Sequence, residues 1–255
     1  MNQLEQSLFP VSQFDAAYFK DGKEHESTGY KMIVRDDTNE VLSCVTDKYK
    51  LVTNKQVLDK VIPTIDENGG QLSETRIFGK GARSLWKFTF PDTKVEIAKN
   101  DFVNPSLIIN NSYDTSKEAS VLSGAFRLVC ENGMVIGWTL SRRRNRHIIW
   151  NDELEDMDEI VIDAIAGIKQ VFDNEFPKLI NTELKKSDIS KLIKMFPTRT
   201  VEDMNRYMID NPPKNYWDLL NIATWTSTHA MKRKYESTHK LETTIYPKIK
   251  KMAQA

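Results

Sequence analysis

From Leu154 to Phe172 apolar residues return every three or four positions, as Leu154, Met157, Ile160, Val161, Ala164, Ile165, Ile168, Val171 and Phe172. That is the period of an α-helix with one face against a core. Before Trp150 the pattern differs. Apart from one helical stretch, the apolar residues come in short runs rich in β-branched and aromatic side chains, broken by turn residues. A chain whose period switches in this way is expected to be α+β: an antiparallel-rich sheet with one or two packed helices, followed by a helical C-terminal half.

The segments follow from that switch. Residues 1–29 are polar with scattered aromatics and are expected to form an N-terminal arm with little structure of its own. Residues 30–150 are expected to form the α+β core, and residues 151–255 the helical region. In the core, "YKMIVRDDTNEVLSCVT" holds two β-rich runs around a turn. Thr53 and Gln56 have the spacing of a capping box, and Val57, Leu58, Val61, Ile62 and Ile65 make one apolar helix face. Pro63 is expected to bend or end that helix, and "ENGG" to stop it. "RSLWKFTFP", "PSLIINNSY" and "GAFRLVC" read as strands. After the last of these, "ENG" suits either a hairpin or a short helix capped by Asn132, with a helix or irregular turn favoured. Further helices are expected at roughly 188–196, 200–209, 214–231 and 235–252, separated in part by Pro197 and Pro212–Pro213.

Charge is balanced overall but unevenly placed. The 36 Lys/Arg equal the 36 Asp/Glu, which argues against coating a polyanion by bulk charge. Arg142, Arg143, Arg144 and Arg146 nevertheless fall within five positions, and six acidic residues follow at 152–159. That acidic block is expected to occupy the first turns of the next helix, where negative charge complements the helix dipole. No apolar stretch approaches the length of a membrane span, the first residues lack the pattern of a signal peptide, and two cysteines make no disulfide framework. The expected setting is cytoplasmic, without a membrane.

Several chemistries lack their residues. "GKG" at 79–81 is not followed by the Ser/Thr of a phosphate-binding loop, and the four histidines show no metal-ligand spacing, so neither a cofactor nor a metal is expected. Three places remain. The arginine run, with His147 beside it, suits phosphate, because the planar guanidinium donates two parallel hydrogen bonds. Pairing with the acidic block explains it equally well. In "RIFGKGARSLWKF", Lys80 and Arg83 flank glycines at an expected hairpin tip, with Trp86 and Phe88 on the following strand. Cations beside rings are what a single-stranded nucleic acid requires, but the alternation Ser84, Trp86, Phe88, Phe90 favours core positions for the two rings. Finally, Arg127 sits among Phe126, Leu128 and Val129 and needs a partner, for which Asp114 is the expected one, as a structural pair. Cys130, in the same apolar run, reads as a small core residue.

"CVTDKYKLVTN", "NNSYDTSKEA", "FRLVCENGM", "RNRHIIW" and, near the end, "NYWDLLNIATWTSTH" resemble, in order, the motifs of a phage/plasmid-like protein family catalogued as a domain of unknown function. The resemblance spans about residues 30–230. Gly133 stands where that family usually has Thr or Ser, and Ile148 where Thr is common, so a polar role at either position does not carry over. The resemblance implies a setting in bacteriophages, prophages or plasmids, hence the host bacterial cytoplasm. A looser fold-level analogy is to phage single-strand annealing proteins, which also lack a nucleotide-hydrolysing loop.

The leading expectation is therefore a phage or plasmid DNA-binding protein, favouring single-stranded DNA in recombination or replication and forming a homo-oligomer. Its nucleic-acid contacts would be Lys80, Arg83, Arg142, Arg143, Arg144, Arg146 and His147. The alternatives are a host-takeover or counter-defence factor that binds a host or phage protein, and, third, a nucleic-acid-processing enzyme with Asp114, Arg127, Cys130 and His147 in one cleft. No catalytic motif supports the third.

Overall fold

The computed structural model describes residues 4–116, 119–127, 132–135, 157–231 and 235–255, with backbone only at 28, 123, 125–127, 132–135 and 235–240. The arginine run, His147, Cys130 and most of the acidic block lie outside these residues. The architecture is α+β, with antiparallel sheets in the N-terminal half and helices in the C-terminal half. The chain divides into two compact units that are not contiguous segments. The first is built mainly from Met1–Thr89 and Leu107–Val121, the second mainly from Phe90–Ser106 and Ile165–Ala255.

The first unit opens with β1 (Val11–Lys20), β2 (Lys23–Arg35) and β3 (Glu40–Thr46), an antiparallel sheet in that order. The segment expected to be a weakly structured arm is thus largely a long hairpin. Its turn, Asp21–Gly22, has both residues at positive φ, which matches the right-handed twist of the flanking strands. One face of this sheet carries Ile33 and Val45, which join Phe9, Tyr49 and Tyr113 in a buried cluster. The other face follows the register Phe14–Met32–Cys44 and Ser12–Val34–Val41.

Helix α1 (Asn54–Glu67) starts at the expected capping box: the Thr53 hydroxyl accepts from the Gln56 backbone, and the Gln56 side chain accepts from the Thr53 backbone. Val57, Leu58, Val61 and Ile65 are buried, as their spacing requires. Pro63 does not end the helix, which continues one more turn. The stop comes at Asn68–Gly69–Gly70, where the Gly70 N–H donates to the Ile65 carbonyl and Gly69 takes positive φ.

Strands β4 (Gln71–Phe78), β5 (Arg83–Thr89), β6 (Val95–Ala98), β7 (Asp101–Ser112), β8 (Ser120–Arg127) and β9 (Asn132–Val135) make the second sheet, in the order β4-β5-β7-β8-β9 with β6 on β7. The stretch from Asn132 is therefore a strand and not a helix or irregular turn. Antiparallel pairing of Gly124 to Val135 and Arg127 to Asn132 supplies its backbone hydrogen bonds.

The helical half comprises α2 (Met157–Asn174), α3 (Phe176–Asn181), α4 (Lys186–Ile193), α5 (Thr198–Asp210), α6 (Tyr216–Trp225) and α7 (Tyr235–Gln254). The expected helices are found, but α3 is not among them, since Pro177 sits at its first turn where proline is tolerated, and the run 214–231 resolves into α6 and a π-helical turn at Thr226–Ala230. Within the second unit Phe176 packs against Phe172, Trp217 and Tyr246, with ring centroids 4.8–6.0 Å apart. Buried polar tips are paired: Trp217 Nε1 donates to Asp101 at 2.9 Å, and the Tyr216 hydroxyl donates to Asp188 at 2.6 Å. Among the described residues no helix is long and apolar enough to cross a membrane.

Candidate functional site

The turn between β4 and β5 is shaped by Gly79, Lys80 and Gly81, all at positive φ. Gly81 has a φ that side chains rarely adopt, and a Cβ there would stand 3.0 Å from the Phe9 ring, so both backbone and space favour glycine. The turn is clamped from β2 and β3. Arg35 lies over the Phe9 ring at 4.0 Å and donates to the Lys80 carbonyl, while Lys80 Nζ meets Glu40 at 2.5 Å. Arg35 is itself held by Asp37, which raises the arginine's pKa and lowers the aspartate's. Lys80 is exposed at the tip, yet its charge already has a carboxylate partner.

Arg83, the other cation of this segment, stands 3.2 Å from Asp114. Asp114 also accepts from the Ser116 backbone N–H at 3.0 Å and from the Ser116 hydroxyl, which turns the chain after β7. The carboxylate expected to partner Arg127 thus faces Arg83. Arg127 lies on β8, and its side chain is outside the described residues. Trp86 and Phe88 are buried to within 3% and serve as core, not as a stacking surface. Arg142, Arg143, Arg144, Arg146 and His147 are outside the described residues.

Behind the β4–β5 segment lies a buried polar cluster that the sequence did not announce. Asn54, fully buried, is its hub. Its backbone N–H donates to the Tyr113 hydroxyl at 2.8 Å, its amide N–H groups donate to Ser7 O and Ser84 Oγ, and its carbonyl accepts from Asn111. Asn111 also donates to the Val52 carbonyl, and Trp86 Nε1 donates to Ser7 Oγ. Burial pushes the Tyr113 and Tyr49 hydroxyls well above their usual pKa, so both stay neutral. Asn54 uses every hydrogen-bonding group it has, which identifies the cluster as a fixed scaffold.

The exposed rings sit elsewhere in the first unit. Phe14, Tyr18, Phe19 and Tyr30 are each more than half exposed on β1 and β2, with Val41 on β3. Tyr18 stacks on His25 at 5.3 Å, and Lys20, Lys23 and Lys31 lie on the same hairpin.

The second unit contains a cleft of about 360 Å3 lined by residues of α5, α6 and the connection between them, including Tyr207, Lys214, Asp218, Asn221 and Ile222. The start of α6 forms one wall. The Asn215 side chain caps the helix by accepting from the Asp218 N–H, and Asp218 accepts in return from the Lys214 N–H, both at 2.9 Å. Asp218, Asn221, Ile222 and Trp225 share one helix face by their spacing. Trp225 lies flat on Tyr207, with centroids 4.1 Å apart and planes 9° from parallel. Asn221 is 5% exposed, and neither its amide nitrogen nor its oxygen has a hydrogen-bond partner. "DLLNIATW" carried the signal: one asparagine amid the apolar run of a helix.

An α+β chain with a clamped basic turn and a helical half containing this cleft defines a structural class and no chemistry. The chain belongs to the family described as domain of unknown function DUF932, which it matches over residues 41–247. No curated protein and no solved structure matches it.

Proposed function

We propose that the protein binds nucleic acid, with a preference for single-stranded DNA, in the recombination or replication of a phage or plasmid. The observation that carries this reading is the run Arg142, Arg143, Arg144 and Arg146, four guanidinium groups within five residues. Such a run concentrates bidentate phosphate donors in one short stretch. The described residues refine the contact set. Lys80 and Arg83 have carboxylate partners in Glu40 and Asp114, so a phosphate would have to compete for them. The main backbone contacts therefore fall to the arginine run and His147. Tyr18, exposed on the same hairpin face as Lys20 and Lys23, supplies a ring beside cations, the combination on which unpaired bases stack. No cofactor is required for binding or annealing. Mobility shifts with single- and double-stranded oligonucleotides test the reading. The wild type retards single strands more strongly, and an Arg142/Arg143/Arg144→Ala variant loses the shift; equal shifts by both proteins would refute the assignment.

A second reading has its own observation. Phe14, Tyr30 and Val41 are exposed on the sheet face that also carries Met32, Val34 and Cys44, a face without a charged residue in that register. An apolar face of this kind suits a protein partner, either a second copy of the chain or a host or phage protein. Light scattering distinguishes these: a defined oligomer that Phe14→Asp dissociates supports self-association, and a monomer at all concentrations removes it.

A further inference from the structure

Asn221 is the most anomalous polar residue in the second unit. An amide has two donors and an accepting oxygen, and when buried it is nearly always paired. Here both atoms are unpartnered among the described residues, in a residue that lines a cleft. Asn221 and Ile222 form the cleft's buried end, and Asn211, Pro212 and Lys214 its exposed end. Lys214 makes no side-chain ion pair among the described residues and stands at the mouth. Tyr207 gives the cleft a flat wall whose plane is fixed by Trp225 stacked upon it. The volume, about 360 Å3, lies at the low end of the range for small-molecule sites.

We propose that this cleft binds one adenine base, with the Asn221 amide on its amino and N7 edge, the ring against Tyr207, and the attached phosphate towards Lys214. The pairing follows from geometry. An amide presents one donor beside one acceptor, and adenine presents the complementary acceptor and donor, so two parallel hydrogen bonds form at once. The amide atoms are out of contact with solvent in this state, so engagement takes a rotation of the Asn221 side chain into the cleft. A ligand that offers both bonds compensates that rotation; one that offers a single bond leaves half of the amide unpaired. The base can come from a strand or from a free nucleotide, and the strand source rests on the nucleic-acid reading above.

Equilibrium dialysis of the full chain against AMP and IMP tests the assignment, since IMP differs from AMP by replacing the amino donor with a carbonyl. The wild type takes up one AMP per chain and binds IMP about tenfold or more weakly. Asn221→Leu binds AMP at least about tenfold more weakly and melts no lower than the wild type, because it removes an unpaired group. Equal uptake of AMP and IMP, or no uptake of AMP by the wild type at millimolar concentration, overturns the proposal, as does unchanged binding by Asn221→Leu. If that variant fails to fold, the wild-type ratio of AMP to IMP decides alone. An oligo-dA and the Arg142/Arg143/Arg144→Ala variant separate the two readings. Oligonucleotide binding without AMP binding sinks the cleft and leaves strand binding intact; AMP binding without oligonucleotide binding does the reverse.

Discussion

Two buried asparagines, one in each unit, are used in opposite ways. Asn54, in the first unit, spends its backbone N–H, both amide hydrogens and its carbonyl on Tyr113, Ser7, Ser84 and Asn111. Asn221, in the second, is nearly as buried and spends nothing from its side chain. Both lie on helices beside apolar neighbours. The difference separates a polar group kept to fix a fold from one kept in reserve. The hydrogen bonds of Asn54 tie α1, β5 and β7 into one arrangement, whereas an amide with neither atom paired weakens the unit that contains it unless something binds there.

The contrast can be broken most forcefully at Asn54. Asn54→Ala keeps the backbone N–H to Tyr113 but strands the Ser7 carbonyl, the Ser84 hydroxyl and one Asn111 donor, and is expected to lower the unfolding free energy by about 3 kcal/mol. Urea denaturation measures it; a loss as small as that of a surface residue would show that the network is not the scaffold.

Asp188 is the counterpart in the helical unit, since its buried carboxylate accepts from Tyr216 and pairs with Lys191, both at 2.6 Å. Asp188→Ala is expected to cost about 2 kcal/mol, chiefly by orphaning the Tyr216 hydroxyl. The hydrogen bonds from Lys191 and then Tyr216 hold the Asp188 pKa below its ordinary 3.8. A folded pKa below the unfolded one gives stability that is present above the unfolded value and is lost as pH falls through the depressed folded value. Acid unfolding of the wild type should therefore steepen below about pH 4, and Asp188→Asn should flatten it. An identical acid limb in both would remove Asp188 from the account.

Asn221→Leu should move the other way, leaving stability unchanged or raising it by up to about 1 kcal/mol in the absence of ligand. A loss of more than that would mean the amide is a structural member like Asn54. The smallest effect belongs to Lys80. Its side chain is 73% exposed, so Lys80→Ala should change stability by less than about 0.5 kcal/mol in thermal denaturation despite the Glu40 contact.

The legible parts of the fold were those where one face is buried and the other wet. The capping box at Thr53 and the stripe Val57, Leu58, Val61 and Ile65 specified α1, and the prolines placed α5 and α6 within a few residues. The β1–β2 hairpin escaped because most of β1 is exposed on both faces, so no alternation marks it; only Asp21–Gly22 signalled the turn. Pro63 misled because a helix anchored by Val61 and Ile65 tolerates one missing hydrogen bond. The core roles of Trp86 and Phe88 followed from strand alternation. The Arg83–Asp114 contact did not, because the two are far apart in sequence and only the sheet brings them together. The Asn54 hub and the Asn221 cleft were hidden because an asparagine, whether at the polar start of α1 or amid the apolar run of α6, does not say from sequence whether its partners exist.

The central claim, capture of a nucleic-acid backbone by the arginine run, is tested most directly by the salt dependence of single-strand affinity. Fluorescence anisotropy of a labelled oligonucleotide, measured across a salt series, gives the slope of log affinity against log salt. Each phosphate neutralised contributes about −0.7 for single strands. The account predicts a slope for the wild type steeper by about 2 than that of Arg142/Arg143/Arg144→Ala. Equal slopes for the two proteins, or an affinity indifferent to salt, would contradict it.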